Sequence, residues 1–133
     1  MGYCLDTNTI VFCLRGKSAK AMNRLRTTPA ADVRVPMQVR AELLVGAAKS
    51  AKPIENRQLV EAFVKPYQLL WPNDAVVEQY VSIRCALEAV GQSIGEADLW
   101  IAATALAIGD VVVTNNTDEF ERVPGLAVED WSV

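Results

Sequence analysis

Hydrophobic positions along this chain fall into short blocks and long stripes that take turns. The blocks Gly2–Leu5, Val33–Val35, Gln68–Trp71, Val111–Thr114 and Ala127–Glu129 are too short for helices and predict strands. The segments between them predict helices over Asn8–Leu14, Ser18–Thr27, Pro36–Ala48, Ile54–Lys65, Asp74–Val90 and Glu96–Ile108, with one short helical turn at Asp118–Arg122. Pro36 suits the opening of its helix, and Asn73 the N-cap of the helix after it in the acidic half. Gly16 and Gly109 stand where two helices should stop. Strand alternating with helix implies crossover units, hence an α/β fold with a mainly parallel sheet and helices on both faces. In such sheets ligands bind beyond the carboxyl ends of the strands. Asp6 directly follows the first strand, and Asn115–Glu119 follows the fourth.

Composition narrows the chemistry. The chain has 133 residues, enough for one domain with its own core; 51% are apolar and 22% charged, the balance of a folded protein. The apolar run Leu99–Gly109 is far short of the ~20 residues that cross a bilayer. The opening MGYCLDTN lacks a basic region and reads as a strand, so the expectation is a cytoplasmic protein with no membrane partner. Cys4, Cys13 and Cys85 form no CxxC pair, and all three are expected to be buried free thiols. There is no histidine. Serine–histidine chemistry and histidine-rich zinc sites are thereby excluded, which leaves oxygen ligands and the hard cations that prefer them.

Four carboxylates carry the argument: Asp6, Glu42, Asp98 and Glu119. Val39, Glu42, Leu43 and Gly46 share one helix face whose other members are apolar or small, so Glu42 is expected to turn inward. Asp98 repeats that pattern with Ile101, Ala102 and Ala105, and sits in a first helical turn that favours negative charge. Each acid also has a plainer reading: Asp6 as a helix cap, Glu42 as a partner of Arg40 or Lys49, Asp98 as a first-turn acid, Glu119 as a surface acid beside Asp118 and Glu121. Taken together, the set points to Asp6 and Asp98 holding a divalent ion, with Glu42 and Glu119 completing or balancing the site. Such an ion activates water for phosphodiester hydrolysis without histidine.

Charge is lopsided. Residues 1–57 hold ten Lys/Arg against four Asp/Glu, and residues 58–133 hold three against twelve. The early basic group Arg15, Lys17, Lys20, Arg24 and Arg26 suits a phosphate backbone, and equally suits ordinary solvated helix faces.

The segments LDTNTIVF (5–12), VRAELLVGA (39–47), IGEADLWIAATAL (94–106) and VVTNNTDEFERVPGLAVEDW (112–131) resemble, in order and spacing, the PIN-domain ribonucleases, and among them the VapC-type toxins of bacterial type II toxin–antitoxin pairs. The resemblance spans essentially the whole chain. It implies a single PIN domain over 1–133 with a three-layer α/β/α architecture. It also implies Mg2+-dependent endonucleolytic RNA cleavage (Mn2+ is equally compatible) leaving a 3′-hydroxyl and a 5′-phosphate. A homodimer, a cognate VapB-type antitoxin covering the acidic cleft, and a larger assembly of the two are implied as well. By motif position Asp6 and Asp98 resemble the family's metal acids, Glu42 the glutamate of its AEL segment, and Glu119 the acid of its TNNTxEF segment. The tail resembles members that cut initiator tRNA in the anticodon region, which would stop translation. One departure is Glu96, where many relatives carry Pro or Asn; it is expected to face solvent. Thr7, Asn8, Thr114 and Asn116 suit contacts to the acids or to phosphate, and equally suit local caps and turns. Two rivals remain: a phosphoryl-transfer enzyme with Asp6 as nucleophile, and an inert binding module on the same fold.

Overall fold

The computed structural model describes residues 2–133. Five strands, β1 (Tyr3–Leu5), β2 (Val33–Pro36), β3 (Gln68–Leu70), β4 (Val111–Val113) and β5 (Val128–Glu129), form one sheet in the order β3-β2-β1-β4-β5. Every pairing is parallel. The helices are α1 (Thr7–Leu14), α2 (Ala19–Thr27), α3 (Met37–Ala48), α4 (Pro53–Val64), α5 (Asp74–Ala89), α6 (Glu96–Ile108) and α7 (Thr117–Phe120). The predicted elements are all present, with ends displaced by a residue or two where helices fray or caps were counted in.

Parallel strands cannot be joined by tight turns, so each crossover carries helices. The chain leaves β1 toward β2 on one side, and later returns to place β4 on the other. That reversal opens a crevice at the carboxyl ends of β1 and β4, which is where such sheets accept ligands. The central strands are largely buried on both faces, and Cys4, Val33, Val35, Val112 and Val113 are fully inaccessible.

Local signals set the helix ends. Ser18 and Asn73 cap α2 and α5 by accepting from the N–H groups of Ala21 and Val76. Gly109 ends α6 in the left-handed region at φ 74°, which a side chain would strain. Along α6, Ala102, Ala103 and Ala105 are fully buried, so the helix lies close to its neighbours and its first turn is held near the crevice. The helix α3 packs on α4 and also meets α6, which brings two helices separated by fifty residues of chain to the same end of the sheet. Although α7 has only four residues, it is pinned by Phe120, which is wholly buried. Burial of such a ring contributes about 2–3 kcal/mol, enough to hold a short helix that would not form alone.

Candidate active site

Asp6 leaves β1 at the crevice. Its backbone N–H donates to the carbonyl of Val113 on β4 at 3.1 Å, so the residue is locked to the β1–β4 seam. Its carboxylate is almost wholly buried, with Oδ1 accepting from the Thr9 N–H at 2.8 Å and Oδ2 from the Thr114 hydroxyl at 2.5 Å. Asp6 therefore does cap α1, as the plainer reading held, but the cap uses one lone pair of one oxygen. A carboxylate has about four acceptor positions, so two remain open.

The other three acids reach the same end of the sheet from separate elements. Glu42 on α3 accepts from the Thr7 hydroxyl at 2.9 Å. Asp98 lies in the first turn of α6, close enough to Glu119 of α7 for the two carboxyls to act on each other. Glu119 Oε2 also accepts from Asn116 Nδ2 at 3.1 Å. The Asn116 N–H donates to Thr114 Oγ1 at 2.9 Å, and the Thr114 hydroxyl in turn binds Asp6. A continuous path of hydrogen bonds thus runs Glu119, Asn116, Thr114, Asp6, with Asp98 beside its Glu119 end.

Electrostatics show what the cluster lacks. Burial pushes the Asp98 carboxyl up from 3.8 to about 7, and the hydrogen bond and charge of Glu119, with the charges of Asp6 and Glu42, push the same way. Glu119 is correspondingly held below its usual range, first by the hydrogen bond from Asp98. Burial also raises Asp6, against the opposing bonds from Thr114 and Thr9. Among the described residues no ion pair includes any of the four acids. Crowded carboxylates without a counter-charge keep a proton where a cation would otherwise sit.

The donor set fits a hard divalent cation. All side-chain ligands on offer are oxygens, with no nitrogen or thiolate among them. Among the described residues, no three acid or thiol groups stand close enough to form a cation shell by themselves. Mg2+ does not need such a shell: it is held by one or two carboxylates and keeps waters and substrate phosphates in its remaining positions.

Several expectations change in three dimensions. Glu42 is exposed at the mouth of the crevice while its stripe companions Val39 and Leu43 are buried, so the face is a boundary and Glu42 bears no burial cost. Its suggested partner Arg40 is committed to Glu61 through two bonds of 2.8 and 2.9 Å. Cys4 and Cys13 are buried, but Cys85 is exposed on α5, where an apolar neighbourhood in sequence winds around to solvent. Arg24 is no open phosphate contact: its guanidinium lies 5.0 Å from the Trp131 ring and 5.7 Å from the Tyr3 ring, and pairs with Glu129 at 3.4 Å. Lys17 and Lys20 remain exposed. Glu96 faces solvent as expected, accepting from the Tyr80 hydroxyl and lying near Arg84. Asn8 is exposed beside the crevice. Thr9 was missed by the sequence reading; its one signal is the three-residue spacing from Asp6 that a cap requires. The aspartyl-nucleophile rival loses ground, because no lysine follows Lys65 in the chain and, among the described residues, none pairs with Asp6.

Beside the acids lies a cavity of about 230 Å³ between α1, α3 and α4, with Thr7 and Glu42 at one end and Val11, Leu14, Leu43 and Leu59 along its walls. Among the described residues no helix is long and apolar enough to cross a membrane.

Comparison with known proteins supplies the context. The family model described as PIN domain matches residues 3–126. The chain is 36% identical over 130 residues to the tRNA(fMet)-specific endonuclease VapC of Shigella flexneri, covering 98% of each chain. Its fold superimposes on the DNA-bound VapBC of Salmonella typhimurium with a TM-score of 0.93 at 34% identity, over 98% of both chains. VapBC2 of Rickettsia felis, bound to a promoter DNA fragment, gives a TM-score of 0.92 at 32% identity, over 98% of this chain and 99% of that one.

Proposed function

The chain belongs to the PIN-domain family and, within it, to the VapC ribonucleases; from that premise we propose that residues 1–133 act as one domain, a metal-dependent endoribonuclease whose catalytic acids are Asp6, Glu42, Asp98 and Glu119. The observation that carries the reading is the gathering of these four acids, from four separate segments, with no cation paired to them among the described residues and Asp98 holding its proton up to about 7. Asp6 and Asp98 are the residues that hold the ion, Mg2+ or Mn2+. When bound, such an ion polarises a phosphate oxygen and acidifies water near neutral pH. The protein's own groups do the rest. Thr114 and the Thr9 N–H keep the Asp6 oxygens aimed into the crevice. Glu42, oriented by Thr7, and Glu119, oriented by Asn116, stand ready to take a proton from attacking water. Thr7 and Asn8 border the entrance and suit hydrogen bonds to phosphate or ribose oxygens.

The substrate we favour is initiator tRNA, cut in the anticodon region, with arrest of translation as the consequence; the relative from Shigella flexneri is named as a tRNA(fMet)-specific endonuclease. A VapB-type antitoxin is the partner. The apolar cavity that ends at Glu42 suits a short hydrophobic segment delivering a basic side chain to the acids. The toxin acts in the cytoplasm as a homodimer, and joins its antitoxin in a larger complex.

The test is expression without antitoxin, followed by mapping the 5′ ends of cleaved cellular RNA. Cuts in the initiator tRNA anticodon that vanish with chelator and with Asp98→Asn support the reading. Wild-type cleavage by Asp98→Asn removes that residue from the mechanism, and cuts confined to another RNA replace the substrate.

A further inference from the structure

Asn116 stands at the entry of α7, where an asparagine ordinarily turns its side-chain oxygen onto the free N–H groups of the helix. No such cap bond forms here. The side-chain amide donates instead to Glu119 Oε2, and the backbone N–H donates to Thr114 Oγ1. One arm of Asn116 therefore leads through Thr114 to Asp6, and the other to Glu119, whose carboxylate acts on Asp98 beside it.

We propose that Asn116 is a positioning residue, which sets Glu119, and through it Asp98, at a fixed offset from Asp6 so that the acids receive a cation in a single arrangement. The inference rests on reading this site as a metal-dependent nuclease centre. Phe120 anchors the backbone of α7 but leaves the Glu119 side chain three rotatable bonds. Glu119 faces carboxylates, and the charge of Arg122 acts on it as well. Without the amide, that arginine and the free rotation of the side chain let its carboxylate leave Asp98. The Asp6 arm uses a backbone N–H, which every substitution except proline retains. Loss of the side chain should therefore loosen one arm and spare the other.

The experiment places Asn116→Ala in wild-type and Glu119→Ala backgrounds. It measures kcat and KM on an initiator tRNA anticodon stem-loop, Mn2+ affinity by electron paramagnetic resonance, and the metal-free melting temperature. Asn116→Ala should lower kcat and weaken Mn2+ binding about 10–100-fold, the usual scale for a residue that orients ligands. KM should hold within about threefold, and melting within about 3 °C, as for a surface substitution of small cost. In the Glu119→Ala background the same change should move neither rate nor Mn2+ affinity further, because the residue it acts through is gone. Full kcat and Mn2+ affinity in Asn116→Ala, or an equal further loss of Mn2+ affinity without Glu119, would overturn the proposal. If alanine lowers melting beyond that range, Asn116→Asp keeps the shape and removes the donor; unaltered Mn2+ affinity there also overturns it. Asp98→Asn run alongside separates the two failures. Should it cleave normally, the nuclease reading of the site falls; should it be dead while Asn116→Ala is fully active, only the role of Asn116 falls.

Discussion

Asp6 and Asp110 close opposite ends of the β1–β4 pair, and both are nearly inaccessible, at 3% and 6% exposure. Their surroundings differ in kind. Asp110 meets Arg34 Nη1 at 2.9 and 3.1 Å, and Gly2 leaves the space that pair needs, since a Cβ there would collide with both partners. Burial raises the Asp110 carboxyl and the arginine opposes it. Asp6 has only a hydroxyl and an N–H, while the nearest charges are further carboxylates. A buried acid with its own cation is finished structure. A buried acid that meets other acids and no cation of its own suits the proposed metal site, because such repulsion is costly unless a bound cation relieves it.

The largest effect that separates the two ends is on chemistry. Asp6→Asn should lower RNA cleavage by at least about 10³-fold, on the scale of losing a main charge-stabilising group, while the protein stays folded. Cleavage of a labelled anticodon stem-loop checks this, and Asp110→Asn should leave the rate per folded molecule unchanged. Next comes stability. Arg34→Ala strands Asp110 without its partner and should cost about 3 kcal/mol in urea unfolding, with no loss of rate in the fraction that remains folded. Third, Mn2+ or Mg2+ at a hundred times its dissociation constant should stabilise the wild type by about 2.7 kcal/mol and shift its melting upward. Asp98→Asn should lose most of that shift, and Arg34→Ala should keep it. An equal shift in Asp98→Asn would detach the ion from the acid edge.

The smallest effect is on pH. Asp98 keeps its proton up to about 7 when native, against 3.8 as its ordinary value. Between those limits the native state binds more protons than the unfolded one, so metal-free stability should fall as pH rises from about 4 to about 7, then level off. Asp98→Asn should flatten that fall. Because this carboxyl is only partly buried and solvent screens it, the gain near pH 8 should be only about 1 kcal/mol, or a few degrees of melting temperature. A wild-type curve that rises over this range would mean Asp98 ionises freely.

Much of this was legible in the chain. The strand blocks and helical stripes were readable because the periods of two and 3.6 residues are local properties, as are the cap at Asn73 and the stop at Gly109. Glu42 was misjudged because a helical stripe names a face without saying where that face ends. Val39 and Leu43 lie inside its edge, and Glu42 lies on it. Cys85 was misjudged for a related reason: the residues beside it in sequence are not those beside it on α5. Arg24 looked like a free cation because Tyr3, Glu129 and Trp131 are distant in sequence and adjacent only once β5 closes the sheet.

By itself the sequence determined the order of elements, the absence of histidine, and the four acids at strand ends and helix faces, because each of these is written in residues close together. Only the tertiary structure decided which acids face one another, which have a cation of their own, and that Asn116 joins the arms leading to Asp6 and Asp98. Those facts depend on distances between segments as much as 108 residues apart, as Asp6 and Thr114 are, and such distances exist only after the crossovers have brought β1 and β4 side by side.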